Sequence, residues 1–179
     1  VGPGTDSETK VCPIINKRQY ESILGYIDEA KNSGAKLLYG GNALTDGVFS
    51  KGNYIGPTIF EDVKIDSRLA QEEIFGPVLA VFKVGSLGEA IEKVNSVNYG
   101  LTFSVFTDDI NAAMLALERA EAGCCYVNAP TFGSEPHMPF GGVKNAGNGT
   151  REPGTLAMDV FSEWKTIYID YSGVAQNSQ

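Results

Sequence analysis

The chain is poor in basic residues, and this scarcity excludes one class of partner. It has 14 Lys and Arg against 22 Asp and Glu, which gives a formal net charge of -8 over 179 residues, and no basic cluster occurs. Such a surface repels phosphate backbones and anionic lipid headgroups. We therefore expect neither nucleic acids nor membranes as partners.

Long apolar runs are also missing from the sequence. No stretch approaches the roughly 18 to 20 apolar residues that a membrane span requires, and residues 1–6 lack the basic and apolar regions of a signal peptide. We therefore expect a cytoplasmic protein. The first residue is Val1 rather than Met, so we expect either a processed chain or a fragment of a longer one.

Cysteine is scarce, and the sequence lacks two common phosphate-binding patterns. The odd number of cysteines, Cys12, Cys124 and Cys125, argues against a disulfide framework. The glycine-rich stretch 129–154 fits neither a dinucleotide fingerprint nor a P-loop, because no Lys-Ser/Thr pair follows its glycines. The hydrophobic content of 42% is ordinary for a globular chain that forms one domain or a large piece of a bigger one.

Helical and strand periodicities alternate along the chain. Helices are predicted after Asn16, after Ser86 and after Asp108 or Asp109; strands are predicted at 36–39, 53–60, 78–84, 101–105 and 124–128. A β-α-β-α-β order requires parallel strands with right-handed crossovers. The sequence therefore predicts an α/β fold, with an open parallel doubly wound sheet flanked by helices.

Residues 71–82 combine two carboxylates, an aromatic side chain and the start of an apolar strand. One of the two carboxylates could accept hydrogen bonds from two neighbouring hydroxyls, such as those of a ribose, and Phe75 could stack against a flat cofactor. Ligands of α/β sheets bind at strand ends, where this element is predicted to lie. The opposite interpretation is a solvated helix end, in which Glu72 pairs with Arg68 at i, i+4 and Phe75 is ordinary core.

Two further stretches have functional potential. The loop 129–154 is too long for a simple connection, and its apolar residues together with the only histidine, His137, indicate an ordered loop packed near a site. The aromatic and β-branched residues of 164–171 predict a strand. This strand either pairs with the sheet of another chain or forms an edge of its own domain.

The string Glu-Glu-Ile-Phe-Gly-Pro at 72–77 closely resembles a signature of the NAD(P)-dependent aldehyde dehydrogenase superfamily. Further matches follow the family's order along nearly the whole chain, at 23–27, 34–38, 57–60, 98–101, 105–107, 123–128, 139–144 and 151–152, and in the final strand. The chain thus resembles the C-terminal portion of the family's catalytic domain. By this resemblance, 1–162 belong to that domain, 163–171 form an oligomerisation strand, and 172–179 form a flexible tail.

The family's reaction joins thiolate attack on an aldehyde, hydride transfer to NAD(P)+ and hydrolysis of a thioester. Its nucleophile is a Cys in a Gly-Gln-x-Cys context, supported by an Asn and a Glu, and none of these motifs is present here. No cysteine of this chain matches that nucleophile. We therefore expect no catalytic residue and no metal in this segment, and no activity of the segment alone.

The resemblance implies binding roles residue by residue. Glu73 matches the family's Glu that binds the nicotinamide ribose of NAD or NADP, and Phe75 matches the aromatic residue that positions this ribose. The loop around Phe132 to Phe140 matches the family's substrate-entrance segment. This match makes Phe132, His137 and Phe140 candidates to line the aldehyde tunnel. For His137 the alternative is a hydrogen-bonded loop residue without chemistry. The last strand is expected to join a neighbouring subunit in a homo-oligomer.

The sequence gives one indication of the substrate and leaves two alternative functions open. Residues 128–133 and 137–142 resemble the branch that oxidises semialdehydes such as 2-oxoglutarate semialdehyde, whose carboxylate requires a cation or a helix N-terminus. A non-catalytic interaction module that pairs through the last strand is the first alternative. The second is a different α/β enzyme, in which Glu72 and Glu73 form an acid–base pair.

Overall fold

Helices and strands alternate along the computed structural model, which describes residues 1–133 and 135–174. The helices are α1 (Lys17–Asn32), α2 (Arg68–Gln71), α3 (Leu87–Asn95), α4 (Ile110–Arg119) and α5 (Ala157–Val160). The strands are β1 (Lys36–Tyr39), β2 (Ala43–Leu44), β3 (Tyr54–Ile55), β4 (Thr58–Glu61), β5 (Val78–Val81), β6 (Tyr99–Gly100), β7 (Thr102–Val105), β8 (Cys124–Val127) and β9 (Val143–Lys144). This order confirms the predicted α/β class.

Three helices begin directly after the residues at which the sequence predicts their starts, and each of these residues caps its helix. The Asn16 side chain accepts a hydrogen bond from the backbone N–H of the third residue of α1, and Ser86 does the same for α3. At α4 the cap is Asp109 rather than Asp108, and its carboxylate accepts from two backbone N–H groups. Each cap satisfies donors that the first helical turn leaves free.

The first of two compact units comprises Val1–Asn98 and Thr107–Glu121. Its three-stranded sheet has the order β1-β4-β5, with β1 antiparallel and β5 parallel to β4. The buried face of α1 carries Ile23, Ile27 and Ala30, which pack into one core cluster with Phe60 of β4 and with Leu69 of α2. Helix α1 is therefore attached to the central strand and to the short helix before Glu73.

One predicted strand of this unit is interrupted where its sequence indicates, and another differs from expectation. The run 53–60 is divided into β3 and β4 at Gly56-Pro57, because proline cannot donate to a ladder. The run 78–84 was expected to be buried, but only Val78–Val81 is a strand, and Leu79 is 57% exposed. This strand pairs only with β4, which leaves one side of it without a partner strand among the described residues.

The second unit comprises Tyr99–Phe106 and the described part of Ala122–Gln179. Strands β7 and β8 are parallel, and β6 pairs antiparallel with β9 in the long loop. A β-carbon on Gly123 would overlap the carbonyl oxygen of Gly141, so only glycine allows the start of β8 and the loop to approach this closely. A bridge between Phe140 and Glu152 joins two parts of the loop.

The C-terminal segment requires a correction. Residues 164–171 were predicted to form a strand, but they pair with no strand of the described chain, and Tyr168 is 94% exposed. The alternative of an edge strand within its own domain is therefore wrong for the described residues, because a strand requires a ladder partner. Of the predicted tail at 172–179, residues 175–179 lie outside the described residues. Among the described residues, no helix combines the length and apolar character needed to cross a bilayer.

Candidate cofactor and substrate site

The two adjacent carboxylates at the end of α2 have different surroundings. Glu72 ends the helix in an extended conformation, with φ -108° and ψ 150°. Successive side chains of extended backbone point to opposite sides, so Glu72 and Glu73 diverge. Glu72 is bound by neighbouring side chains, whereas Glu73 is exposed and has no hydrogen-bond or ion-pair partner within the described part of the chain.

Glu72 accepts three hydrogen bonds from two helices. Arg68 of α2 donates from Nε to Oε1 and from Nη2 to Oε2, each over 2.9 Å, and the hydroxyl of Tyr26 on α1 donates to Oε2 over 2.5 Å. Arg68 also donates to Glu29 of α1 over 2.9 Å, and its guanidinium lies 4.6 Å from the centre of the Tyr26 ring. We call these four residues the Arg68 cluster.

Charge pairing in the Arg68 cluster fixes the ionisation of Glu72. Hydrogen bonds from Arg68 first, and from Tyr26 second, lower the pKa of Glu72 from its ordinary 4.5 to about 2. The Glu72 carboxylate in turn raises the pKa of the Tyr26 hydroxyl. Glu72 is therefore ionised at neutral pH with both oxygens occupied. This engagement of Glu72 argues against a Glu72–Glu73 acid–base pair, since an acid–base pair requires both carboxylates to converge on a substrate.

Phe75 is not a core residue of this chain. Its ring is 75% exposed, and its backbone has a positive φ of 54° that non-glycine residues rarely adopt. The preceding carbonyl, that of Ile74, accepts a hydrogen bond from the Gln19 side chain over 2.8 Å. Phe75 and Gln19 line one shallow cleft of about 290 Å³, together with Pro13, Ile14 and Ile15. The described chain thus presents an exposed aromatic ring two residues after the carboxylate of Glu73.

The predicted tunnel residues separate into two groups. Phe132 and Phe140 line a cleft of about 470 Å³ in the second unit, along with Tyr126 and Met138. His137 is exposed on the same loop and does not line this cleft. Phe132 itself is 81% exposed, so its ring lies at the mouth of the cleft rather than within a packed core.

The cysteines lack the features of an activated nucleophile. Cys124 and Cys125 occupy β8, where alternation turns them to opposite faces as predicted. Burial, and then the neighbouring Cys124, raise the pKa of the Cys125 thiol, whereas a reactive thiol has a lowered pKa. Cys12 is exposed near the start of the chain.

Sequence reasoning missed the residues that surround Glu72 and Ile74. The Arg68–Glu72 pair was recognised from its i, i+4 spacing, but only as part of a solvated helix end. Tyr26 and Gln19 lie 46 and 55 residues from their partners. No local pattern signals contacts over such a distance. The structure therefore adds a second helix, α1, to the site.

Comparisons with known proteins agree on one family. The family model described as "Aldehyde dehydrogenase family" matches residues 1–167. The chain is 46% identical over 169 residues to a 2,5-dioxopentanoate dehydrogenase of Saccharolobus solfataricus, covering 94% of this chain and 34% of that protein. It is 38% identical over 169 residues to an alpha-ketoglutaric semialdehyde dehydrogenase of Bacillus subtilis, covering 94% of this chain and 35% of that protein.

A solved structure gives the same result for the fold. The aldehyde dehydrogenase of Mycobacterium tuberculosis complexed with NAD+ superposes with a TM-score of 0.88 at 33% identity, covering 97% of this chain and 35% of that one. The chain therefore spans about a third of the length of the relatives that it matches. Sequence and fold together show that this chain belongs to the aldehyde dehydrogenase family.

Proposed function

We propose that this chain forms the nicotinamide-ribose site and part of the substrate tunnel of an NAD(P)-dependent aldehyde dehydrogenase. The observation that carries the proposal is the contrast at the end of α2. Glu72 is fully engaged by protein donors, whereas its neighbour Glu73 has no partner among the described residues and precedes the exposed ring of Phe75 by two residues. A free acceptor and an exposed apolar ring within one short segment match a ligand that carries hydroxyls and a flat base.

The residues fit the chemistry of NAD or NADP. An ionised carboxylate binds two vicinal hydroxyls, one through each oxygen, and the Phe75 ring supplies an apolar face for the sugar and base. When bound, the nicotinamide supplies the hydride acceptor for the aldehyde. Glu73 and Phe75 orient and hold the ribose and the base, and they transfer neither proton nor hydride. The thiol nucleophile of the reaction is proposed to lie in sequence that this chain does not contain.

The proposed substrate is a semialdehyde. The two curated relatives are named for aldehydes that carry a 2-oxo carboxylate, and the loop around Phe132 and Phe140 forms a largely apolar cleft. Apolar rings at the cleft suit the carbon chain that leads to the aldehyde. Phe132 and Phe140 are accordingly proposed as tunnel residues. His137 stays a proposal as well, although it does not line this cleft.

The C-terminal segment is proposed to complete a homo-oligomer. Five large apolar residues in 164–171 are more than half exposed and have no ladder partner in the described chain: Trp164, Ile167, Tyr168, Ile169 and Tyr171. Contiguous exposed apolar residues of this kind typically mark a protein interface. Pairing with the sheet edge of a second copy would satisfy the free backbone groups and cover these rings.

The test is a single-turnover measurement with the natural polypeptide that contains this chain. Glu73→Gln keeps the size of the side chain but removes its charge, so NADH formation in one turnover should slow by about tenfold or more. Glu118→Gln is the matched control, because Glu118 is exposed on α4 of the same unit and has no partner among the described residues. Equal rates for both variants would refute the role of Glu73.

A non-catalytic interaction module is the second candidate. The exposed C-terminal segment favours it, because this feature alone requires no chemistry. The two candidates differ in cofactor binding. A module without cofactor affinity would show no protein fluorescence change on titration with NADH, whereas the dehydrogenase is expected to show saturable quenching that Glu73→Gln weakens.

A further inference from the structure

We propose that Arg68, together with Tyr26 and Glu72, is a positioning group that sets the placement of the Glu73 carboxylate. This inference rests on the proposed function of Glu73 as the ribose-binding residue. It assigns a role in the same site to three residues that need not touch the cofactor.

The first step is the geometry on the N-terminal side of Glu73. Glu72 is the only residue between α2 and Glu73, and both of its oxygens are held, one by Arg68 and the other by Arg68 and Tyr26. A bidentate Arg–carboxylate pair fixes direction as well as distance. The peptide unit that leads into Glu73 is therefore held by donors from two helices.

The second step concerns what holds Arg68. Its guanidinium donates Nη1 to Glu29 over 2.9 Å and Nη2 to the Tyr26 hydroxyl over 3.1 Å. Glu29 and Tyr26 are three residues apart on α1, so they lie on one face of that helix. Helix α1 is a long element with Ile23 and Ile27 fully buried in the core. Arg68 thus connects the site to the most firmly packed helix of the unit.

The third step is the C-terminal side of Glu73. The Ile74 carbonyl is held by Gln19, which also belongs to α1. The residues before and after Glu73 are therefore both anchored to one helix, while the Glu73 carboxylate has no partner among the described residues. This arrangement fixes the backbone and leaves the functional group available for a ligand, as preorganised sites require.

The fourth step separates positioning from stability. The Arg68 and Glu72 side chains are about half exposed, at 52% and 45%. Ion pairs with such exposure contribute little to folding. Helix α2 has only four residues and no side-chain cap at Ser67, so its direction depends on contacts outside the helix. Loss of the Arg68 cluster is therefore expected to misplace Glu73 more than to unfold the unit.

The experiment is a double-mutant cycle in the natural polypeptide that contains this chain, with Arg68→Met and Glu73→Gln. Arg68→Met alone should lower the single-turnover rate of NADH formation by about tenfold, since small misplacements of a binding group are costly. In the Glu73→Gln background the same change should alter the rate less than about twofold, because residues that act through one another are not additive. Arg68→Lys should restore only part of the rate, because lysine cannot form the bidentate pair.

Two further variants make the result independent of folding. Tyr26→Phe removes one donor to Glu72 but keeps the ring, and a smaller rate loss in the same direction is expected. Arg18→Met is the control, because Arg18 is exposed on α1 and has no partner among the described residues. Thermal unfolding midpoints should be similar for all variants.

The possible outcomes distinguish the two proposals. If Glu73→Gln itself leaves the rate unchanged, the proposed function fails, and this inference fails with it. If Glu73→Gln slows the reaction but Arg68→Met does not, only the positioning role is overturned. Additive losses in the double variant would likewise overturn it, because a purely structural contribution does not depend on the charge at Glu73.

Discussion

Gln19 donates its side-chain amide to the backbone carbonyl of Ile74 over 2.8 Å, although the two residues lie 55 positions apart. The bond is partly buried and joins the first turn of α1 to the segment between Glu73 and Phe75. It makes the segment after α2 part of the folded unit rather than a free loop.

Replacing this donor should destabilise the unit. Gln19→Leu leaves the Ile74 carbonyl without its partner, which typically costs about 1 kcal/mol in the free energy of unfolding. Urea denaturation followed by circular dichroism measures the change. Arg18→Leu, at the exposed neighbouring position, is the control and should be nearly neutral. Equal unfolding free energies for the two variants would contradict the structural role of this hydrogen bond.

Phe75 should matter for cofactor binding and hardly at all for stability. Its ring is 75% exposed, so Phe75→Ala removes little buried surface, and the unfolding free energy should change by less than about 1 kcal/mol. The KM for the cofactor should rise severalfold, because the apolar face for the ribose is lost. Steady-state kinetics and thermal unfolding test the two parts separately. A large loss of stability with an unchanged KM would contradict this role and would indicate that Phe75 is a packing residue.

Acid should abolish the small contribution that the half-exposed Glu72 ion pair makes to stability. Arg68 and Tyr26 lower its pKa to about 2, so its contribution is fully present above the unfolded-state pKa of roughly 4.3 and is lost as the pH falls towards 2. The difference in unfolding midpoint between the wild type and Glu72→Gln should therefore shrink as the pH falls from about 5 towards 2. Urea unfolding at a series of pH values measures it.

The control for this pH dependence is the Arg68→Met background. Without the guanidinium, the principal cause of the lowered pKa is gone, and the effect of Glu72→Gln should depend much less on pH. High salt should weaken the effect in the wild type, because the pair is half exposed. A difference in unfolding midpoint between the wild type and Glu72→Gln that stays constant down to the lowest pH would contradict the assigned ion pair.

Local features of this fold were predictable from the sequence. The caps at Asn16, Ser86 and Asp109 bind backbone N–H groups that lie no more than three residues further along the chain. The apolar residues that recur after each cap form the buried face of its helix. The position of Glu73 in the candidate site came from the resemblance of a short string. Both kinds of inference need only neighbouring residues. The structure shows the caps, whereas the cofactor role of Glu73 stays a prediction.

Features that depend on distant partners were not predictable. Tyr26 reaches Glu72 across 46 positions, and only the packing of α1 on β4 and α2 brings the two together. Residues 164–171 form no strand within the described chain for the opposite reason, since they favour a strand but the described chain supplies no ladder partner. Their pairing with a second copy stays a proposal. Intrinsic preference produces a strand only where another strand completes the hydrogen bonds.

Gly123 should be required for the shape of the substrate loop. An alanine β-carbon there would overlap the Gly141 carbonyl oxygen, which belongs to the same loop as Phe140. Gly123→Ala should therefore displace the loop, lower the free energy of unfolding by roughly 1 to 3 kcal/mol and raise the KM for the aldehyde.

Gly25→Ala is the matched control, because no atom lies within 4 Å of its added β-carbon in α1. Alanine at this helical position should stabilise by about 0.5 to 1 kcal/mol. The two substitutions should therefore change the free energy of unfolding in opposite directions. Equal changes would contradict the close approach of Gly123 to the Gly141 carbonyl.

The most direct test of the whole account is a crystal structure of the natural polypeptide containing this chain with NAD+ bound. The proposed function predicts that the Glu73 carboxylate lies about 2.6 to 3.2 Å from the hydroxyls of the nicotinamide ribose, with the Phe75 ring against the same sugar and Glu72 still bound to Arg68. A nicotinamide ribose held by other residues, with Glu73 directed into solvent, would contradict the central claim.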